Sequence, residues 1–296
     1  MWIGIIAIIF SSIGFGITDI FLKKITAAKN QLPILILRSS ITSVCILIGI
    51  VAVLLFDRQS SFLPLQQINW YKQLLLGFIY SSFSFAGLYF FMQALKHKHI
   101  SETVGLNKIS IILGLIIGVC FFKETFSGQK IASVLFVLAG VALIEYRLLS
   151  KQHAQMAAGK GLMFVVAARI CWAIGFMAVP QIEAMGILGF SLLQELTVLF
   201  WSGILFILQR IPAQQITQEV KKNGGILITI GILGALIQIA LNISLTEVPI
   251  VLLPFLNLLT PILILILARS YLKERIKPIQ LLGIVLGVSG GLIYIL

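Results

Sequence analysis

Apolar residues neither alternate with polar ones nor form narrow stripes along this chain; they run on for some twenty positions at a time between short polar and basic stretches. About 20 apolar residues in a helix cross the roughly 30 Å of bilayer hydrocarbon, and ten runs reach that size. They are Trp2 to Leu22, Leu32 to Phe56, Tyr71 to Leu95, Glu102 to Phe122, Gly128 to Tyr146, Gly161 to Pro180, Gly186 to Leu208, Gly225 to Leu245, Pro249 to Ala268 and Pro278 to Ile295. Only Asp57 to Trp70, Arg147 to Lys160 and Gln209 to Gly224 exceed a handful of connecting residues. Membrane-barrel strands would show period-two alternation, and a lipid-facing backbone must close its own hydrogen bonds. The expected fold class is an all-α polytopic membrane protein with ten transmembrane helices.

Composition strengthens this reading. Of the 296 residues 59% are hydrophobic and 11% charged, against about 25% charged in soluble domains, and mean hydropathy is +1.08. Water-soluble enzymes, coiled coils and disordered chains are excluded. The net charge of +12 would suggest nucleic acid in a soluble chain, but basic residues in membrane proteins mark cytoplasmic loops, so no nucleic-acid partner is expected. Fifteen of the 22 Lys and Arg residues fall in the loops on the side of the first loop, four on the other side, and three, Arg38, Lys108 and Arg169, within spans. The count predicts a multi-pass protein of the bacterial inner membrane with both termini outside. Cys45, Cys120 and Cys171 lie in apolar runs, far apart and away from the histidines, and read as small hydrophobes. The apolar run at Trp2 lacks a basic leader and a cleavage site, so the first helix is expected to stay in the mature protein.

The chain repeats itself. Residues 92–144 match 242–294 at a constant offset of 150, placing Asn107 on Asn257, Ser110 on Thr260, Lys123-Glu124 on Lys273-Glu274 and Gly140 on Gly290. A weaker match at an offset of 157 places Gly4 on Gly161, Ile13-Gly14-Phe15 on Ile170-Cys171-Trp172 and Arg38 on Glu195. The expected domains are residues 1–150 and 151–296, five helices each. An odd number of spans per repeat turns the second copy upside down, the geometry of alternating-access transporters.

Phe122-Lys123-Glu124-Thr125 through Ala139-Gly140, and Leu272-Lys273-Glu274-Arg275 through Pro278, Gln280, Gly283 and Gly290, resemble the helix ends of the EamA-like branch of the drug/metabolite transporter superfamily. Ala168-Arg169-Ile170-Cys171-Trp172-Ala173 resembles the start of that family's second half, and Leu37-Arg38 the arginine of its second helix. The resemblance covers essentially the whole chain and implies two inverted five-helix repeats and transport of a small metabolite. It also implies termini facing inward, against the charge count; the count uses this chain's own loops and is preferred. Ser127-Gly128 against Lys277-Pro278, Glu195 opposite an arginine, and Arg169 in place of a small residue depart from the family pattern.

A charge at the centre of a membrane helix costs roughly 2.5–3.5 kcal/mol on the insertion scale, so intramembrane ions mark candidate sites. Arg169 and Glu195 lie near mid-membrane on spans adjacent in sequence and are expected to form a buried pair or a coupling site, Glu195 being the group through which a proton gradient could act. Lys108, beside Asn107, would meet a substrate carboxylate or phosphate. Asp19, with Lys23 one turn on and Arg38 at similar depth, is a secondary candidate together with Arg38. Small and polar residues at helical spacing, among them Gly231, Gly234, Gln238 and Asn242, suggest a packing or cavity face; amides need partners that lipid does not offer, so Gln238, Asn242, Asn107 and Asn257 are assigned to a cavity. Tyr80, Phe83 and Trp172 are expected as its walls, able to stack on a ring or hold a cation.

The function predicted is secondary transport of a small polar metabolite by alternating access. An amino acid or related zwitterion fits charges of both signs, and a choline-like amine or cationic drug is the alternative. No cofactor, metal or obligatory protein partner is expected. A channel or an intramembrane enzyme is the alternative class; His97, His99 and His153 all lie in loops, which leaves no buried Ser-His pair.

Overall fold

The computed structural model describes residues 2–25, 30–56, 69–97, 127–144, 160–249 and 278–295, with isolated positions between 113 and 123. Its elements are α1 (Trp2–Ile25), α2 (Leu32–Phe56), α3 (Trp70–His97), α4 (Gly128–Ile144), α5 (Lys160–Gly175), a 3-10 turn (Phe176–Ala178), α6 (Val179–Met185), α7 (Ile187–Leu208), α8 (Gln214–Glu247) and α9 (Pro278–Ile295). Six helices among the described residues are long and apolar enough to cross a membrane: Trp2–Leu22, Leu32–Phe56, Trp70–Leu95, Met163–Met185, Ile187–Leu208 and Gln214–Glu247. Most of the expected fourth span, and the ninth beyond Pro249, lie outside the described residues.

Helix boundaries follow local chemistry. Pro33 and Pro278 stand in the first turns of α2 and α9, where a missing N–H costs nothing and the fixed φ suits a helix. Pro180 has the opposite effect. Its ring excludes the carbonyl four residues back, and the span opened by α5 passes through the 3-10 turn before resuming as α6. The sixth span therefore does not end at Pro180 but continues to Met185. Gly186, at φ 75°, alone separates α6 from α7, a backbone angle that glycine adopts without penalty.

The end of α7 is a Schellman motif. Arg210 takes φ 51°, its N–H donates to the Ile207 carbonyl, and the Ile211 N–H donates to that of Phe206, which satisfies carbonyls the helix leaves open. From there the expected long loop Gln209 to Gly224 departs from the sequence reading, because α8 begins at Gln214. Gln, Glu and Lys are good helix formers without being apolar, and the Asn223 amide donates to Glu219 one turn back (2.7 Å). With 34 residues, α8 is about 51 Å long at 1.5 Å per residue, so its polar first turns extend beyond the hydrocarbon.

Between membrane helices there is no aqueous driving force, and small residues that admit close approach take over. α1 runs antiparallel to α8, with Gly4 beside Val248 and Gly14 beside Ile237. α3 runs antiparallel to α5, with Gly87 beside Trp172 and Gly175 beside Ser84. α2 crosses α7 antiparallel through Arg38–Glu195 at one end and Gly49–Leu188 towards the other. α4 and α9 form a separate seam in which the Ser133 hydroxyl donates to the Gly290 carbonyl, and Gly140 lies against Gly283 and Gly287. In the 150-residue register Ser133 corresponds to Gly283 and Gly140 to Gly290, so the repeat exchanges one contact for the other.

A Cβ on Gly140 would stand 2.5 Å from the Gly283 carbonyl oxygen and the Gly287 nitrogen, whereas nothing among the described residues lies within 4 Å of one on Gly203. Gly140→Val is expected to destabilise the protein by about 1–3 kcal/mol and Gly203→Val to leave it unchanged, as measured by thermal unfolding in detergent.

Candidate functional site

α1, α2, α3, α5, α7 and α8 enclose a cavity of about 210 Å³. Among the described residues four charged side chains reach it: Asp19 from α1, Arg38 from α2, Arg169 from α5 and Glu195 from α7. Between them stand the amides Gln194, Gln238 and Asn242, and aromatic walls from Phe15, Phe91, Trp172, Phe176 and Phe190. The interruption at Gly175 and Phe176 lies in the wall itself.

The pairing of these charges corrects the sequence expectation. Glu195 is held by Arg38, not by Arg169: Nη2 donates to Oε1 at 3.1 Å and Nη1 to Oε2 at 3.4 Å. Glu195 is 2% exposed and Arg38 16%, and the two-pronged geometry suits a guanidinium facing a carboxylate. One turn beyond Arg38, the Thr42 hydroxyl bonds to the Gly231 carbonyl of α8 (2.9 Å), and Gly234 leaves room for the guanidinium to pass. The expected Arg169–Glu195 pair rested on neighbouring spans, but helix packing sets α2 against α7.

Arg169 lies over the faces of Trp172 and Phe91, its guanidinium carbon 5.0 Å and 5.9 Å from the ring centroids. Trp172 follows it at i+3 on the same helix face. Asp19 shares the cavity with it, and its Nε has no hydrogen-bond partner among the described residues. Opposite, the amides form a chain: Gln238 donates to the Gln194 oxygen (2.7 Å) and more weakly to Asn242 (3.4 Å), and Asn242 donates to the Ser191 hydroxyl (2.8 Å). Ser191 in turn bonds to the Ile187 carbonyl. The chain fixes α7 and α8 at the cavity floor and holds its polar groups in place.

The structure thus brings together Asp19, Arg38, Arg169, Glu195, Trp172, Gln238 and Asn242. It does not bring Phe83 or Tyr80 to the cavity. Ser84, Leu88 and Phe91 are the residues of α3 that line it; Phe83, one residue off that stripe, is 36% exposed on the outer face. Tyr80 is on the right stripe but one turn too far along, packed with the cluster around Ile182 and Met185. The stripe on α8 divides: Gly231 packs against α2, Gly234 meets both Arg38 of α2 and the cavity, and Gln238 and Asn242 face the cavity. Asn107, Lys108 and Asn257 lie outside the described residues. Gln194, Ser191 and Phe190 were not anticipated, although Ser191 and Glu195 at i and i+4 were a legible polar stripe.

A bundle of apolar helices closed around a cavity with charges of both signs is a multi-pass integral membrane protein. The model of the EamA-like transporter family matches residues 2–146 and 159–296. The chain belongs to the EamA-like transporter family, as its helix-end motifs suggested, and is a membrane transporter. No curated protein matches it. A solved structure titled "Crystal structure of protein" is similar over 99% of this chain and 95% of that chain, with a TM-score of 0.71 and 17% identity; the likeness is one of fold.

Removing one partner of a buried ion pair strands the other charge. Glu195→Gln is expected to destabilise by about 3–5 kcal/mol, and Arg38→Gln with Glu195→Gln by less than either alone, in thermal or denaturant unfolding of purified protein.

Proposed function

We propose that the protein is a secondary carrier for a small zwitterion of the amino-acid class, which it binds in the central cavity and releases by alternating access. The observation that carries this reading is the cavity's balance, among the described residues, of two cations and two anions beside fixed amides and aromatic walls. A cavity of about 210 Å³ is smaller than the roughly 300–1,000 Å³ of drug-sized sites and matches a small metabolite. An amine or cationic drug would be served by the carboxylates and aromatics but would leave Arg169 without a role.

The architecture proposed is ten spans in two inverted five-helix repeats, residues 1–150 and 151–296. Supporting it are the antiparallel α4–α9 seam, with contacts exchanged by the repeat, and the antiparallel meeting of repeat-equivalent Arg38 and Glu195. The excess of basic residues in the loops on one side favours a cytoplasmic assignment for that side and external termini. An alkaline phosphatase fused after Leu296 is expected to be active and a green fluorescent protein there dark; the reverse pattern would place the termini inside.

Reconstituted in proteoliposomes, the protein should show saturable uptake of an amino acid identified by thermal-shift screening against amines, nucleosides and sugars, accelerated by the same compound on the opposite side. Linear, unsaturable flux would mean a channel.

A further inference from the structure

The cavity holds two opposite-charge couples, and the repeat treats them differently. Arg38 and Glu195 are equivalent positions at the 157-residue offset, and they bind each other. A contact between equivalent positions lies on the axis relating the two halves, so exchanging the conformations of the halves returns the same contact. This pair has no need to break during transport, and both carboxylate oxygens are already engaged. Arg169 and Asp19 stand apart from this symmetry, because the same offset sets Ser12 opposite Arg169 and Phe176 opposite Asp19. Their charges are present once and make the cavity polar in one direction.

We propose that the two couples divide the work of the cavity: Arg38–Glu195 joins the halves, while Arg169 and Asp19 recognise the substrate, Arg169 by its carboxylate and Asp19 by its ammonium group. This rests on the zwitterion reading above and names the residues that enforce it. Trp172 and Phe91 cover the face of the Arg169 guanidinium, and a stacked guanidinium keeps its N–H donors at the edge, in the plane that suits a carboxylate. Nε lacks a hydrogen-bond partner among the described residues. Asp19 and Arg169 both line the cavity, and a zwitterion entering between them presents a negative group to the cation and a positive group to the anion. Gln194 and Gln238, already fixed to each other, complete a polar floor. Glu195, expected from the sequence to couple transport, becomes part of the scaffold.

The test is competition for transport in proteoliposomes with leucine, 3-methylbutylamine, which lacks the carboxylate, and 4-methylvalerate, which lacks the amino group. The unaltered protein should prefer leucine over each analogue by about ten- to a hundredfold, the range for hydrogen bonds to charged groups. In Arg169→Gln the preference over the amine should vanish, and in Asp19→Asn the preference over the acid. The charge exchange Arg38→Glu with Glu195→Arg should transport with the original ranking. An original ranking in both Arg169→Gln and Asp19→Asn, or an altered one in the charge exchange, overturns the division. No preference in the unaltered protein for leucine, or for any amino acid of the thermal-shift screen, over its analogues lacking the carboxylate or the amino group overturns the zwitterion reading itself. Thermal shifts of the unaltered protein provide a check without any variant: leucine should raise Tm more than either analogue, and equal shifts from leucine and the amine would count against Arg169.

Discussion

Inside a bilayer a guanidinium and a carboxylate have no bulk water to turn to, and the bundle is organised around how Arg38 and Glu195 meet that constraint. Each lies within an apolar helix, and each offsets the other's desolvation through two hydrogen bonds. Their pairing sets the depth of α2 against α7, and the Thr42 bond to Gly231 carries the same register to α8. Three helices from both repeats are therefore positioned by one buried ion pair and a hydroxyl beside it. A buried pair contributes little net stability but is costly to break, which makes it well suited to fixing geometry.

With those helices placed, the cavity follows. α2, α7 and α8 supply its amide and ionic side, and α3 and α5 supply the aromatic side, where Trp172 and Phe91 cover Arg169. The interruption forced by Pro180 opens the helix wall at Phe176 and turns the chain into α6. A solved structure only 17% identical shares the fold over nearly the whole chain, so architecture persists while side chains change. Recognition in this chain must accordingly come from its own cavity residues.

Much of this arrangement was legible in the sequence because membrane physics reduces it to few signals. Apolar length marked the spans, intramembrane charge marked the cavity, and the 157-residue offset had already set Arg38 against Glu195. Adjacency in sequence nonetheless points to Arg169 as the partner of Glu195; crossing partners are set by packing, which one helix's sequence does not carry. Phe83 failed by one residue, a rotation of about 100° on a helix, and Tyr80 by a single turn of depth. Hydropathy also hid the start of α8, where the residues are polar but form a helix readily. Gln194 escaped notice because its value lies in Gln238, a partner 44 positions away.

In the α4–α9 seam Ser133 meets Gly290, Gly140 meets Gly283, and in the repeat register these are one contact made twice. Two copies of a single half, set antiparallel, would form such a seam about a two-fold axis, as isologous dimers do. The surface now joining the ends of one chain is therefore of the kind that lets a half-length ancestor assemble with itself. Asp19 and Arg169, each lacking a charged counterpart at the equivalent position, are differences that two identical halves do not carry.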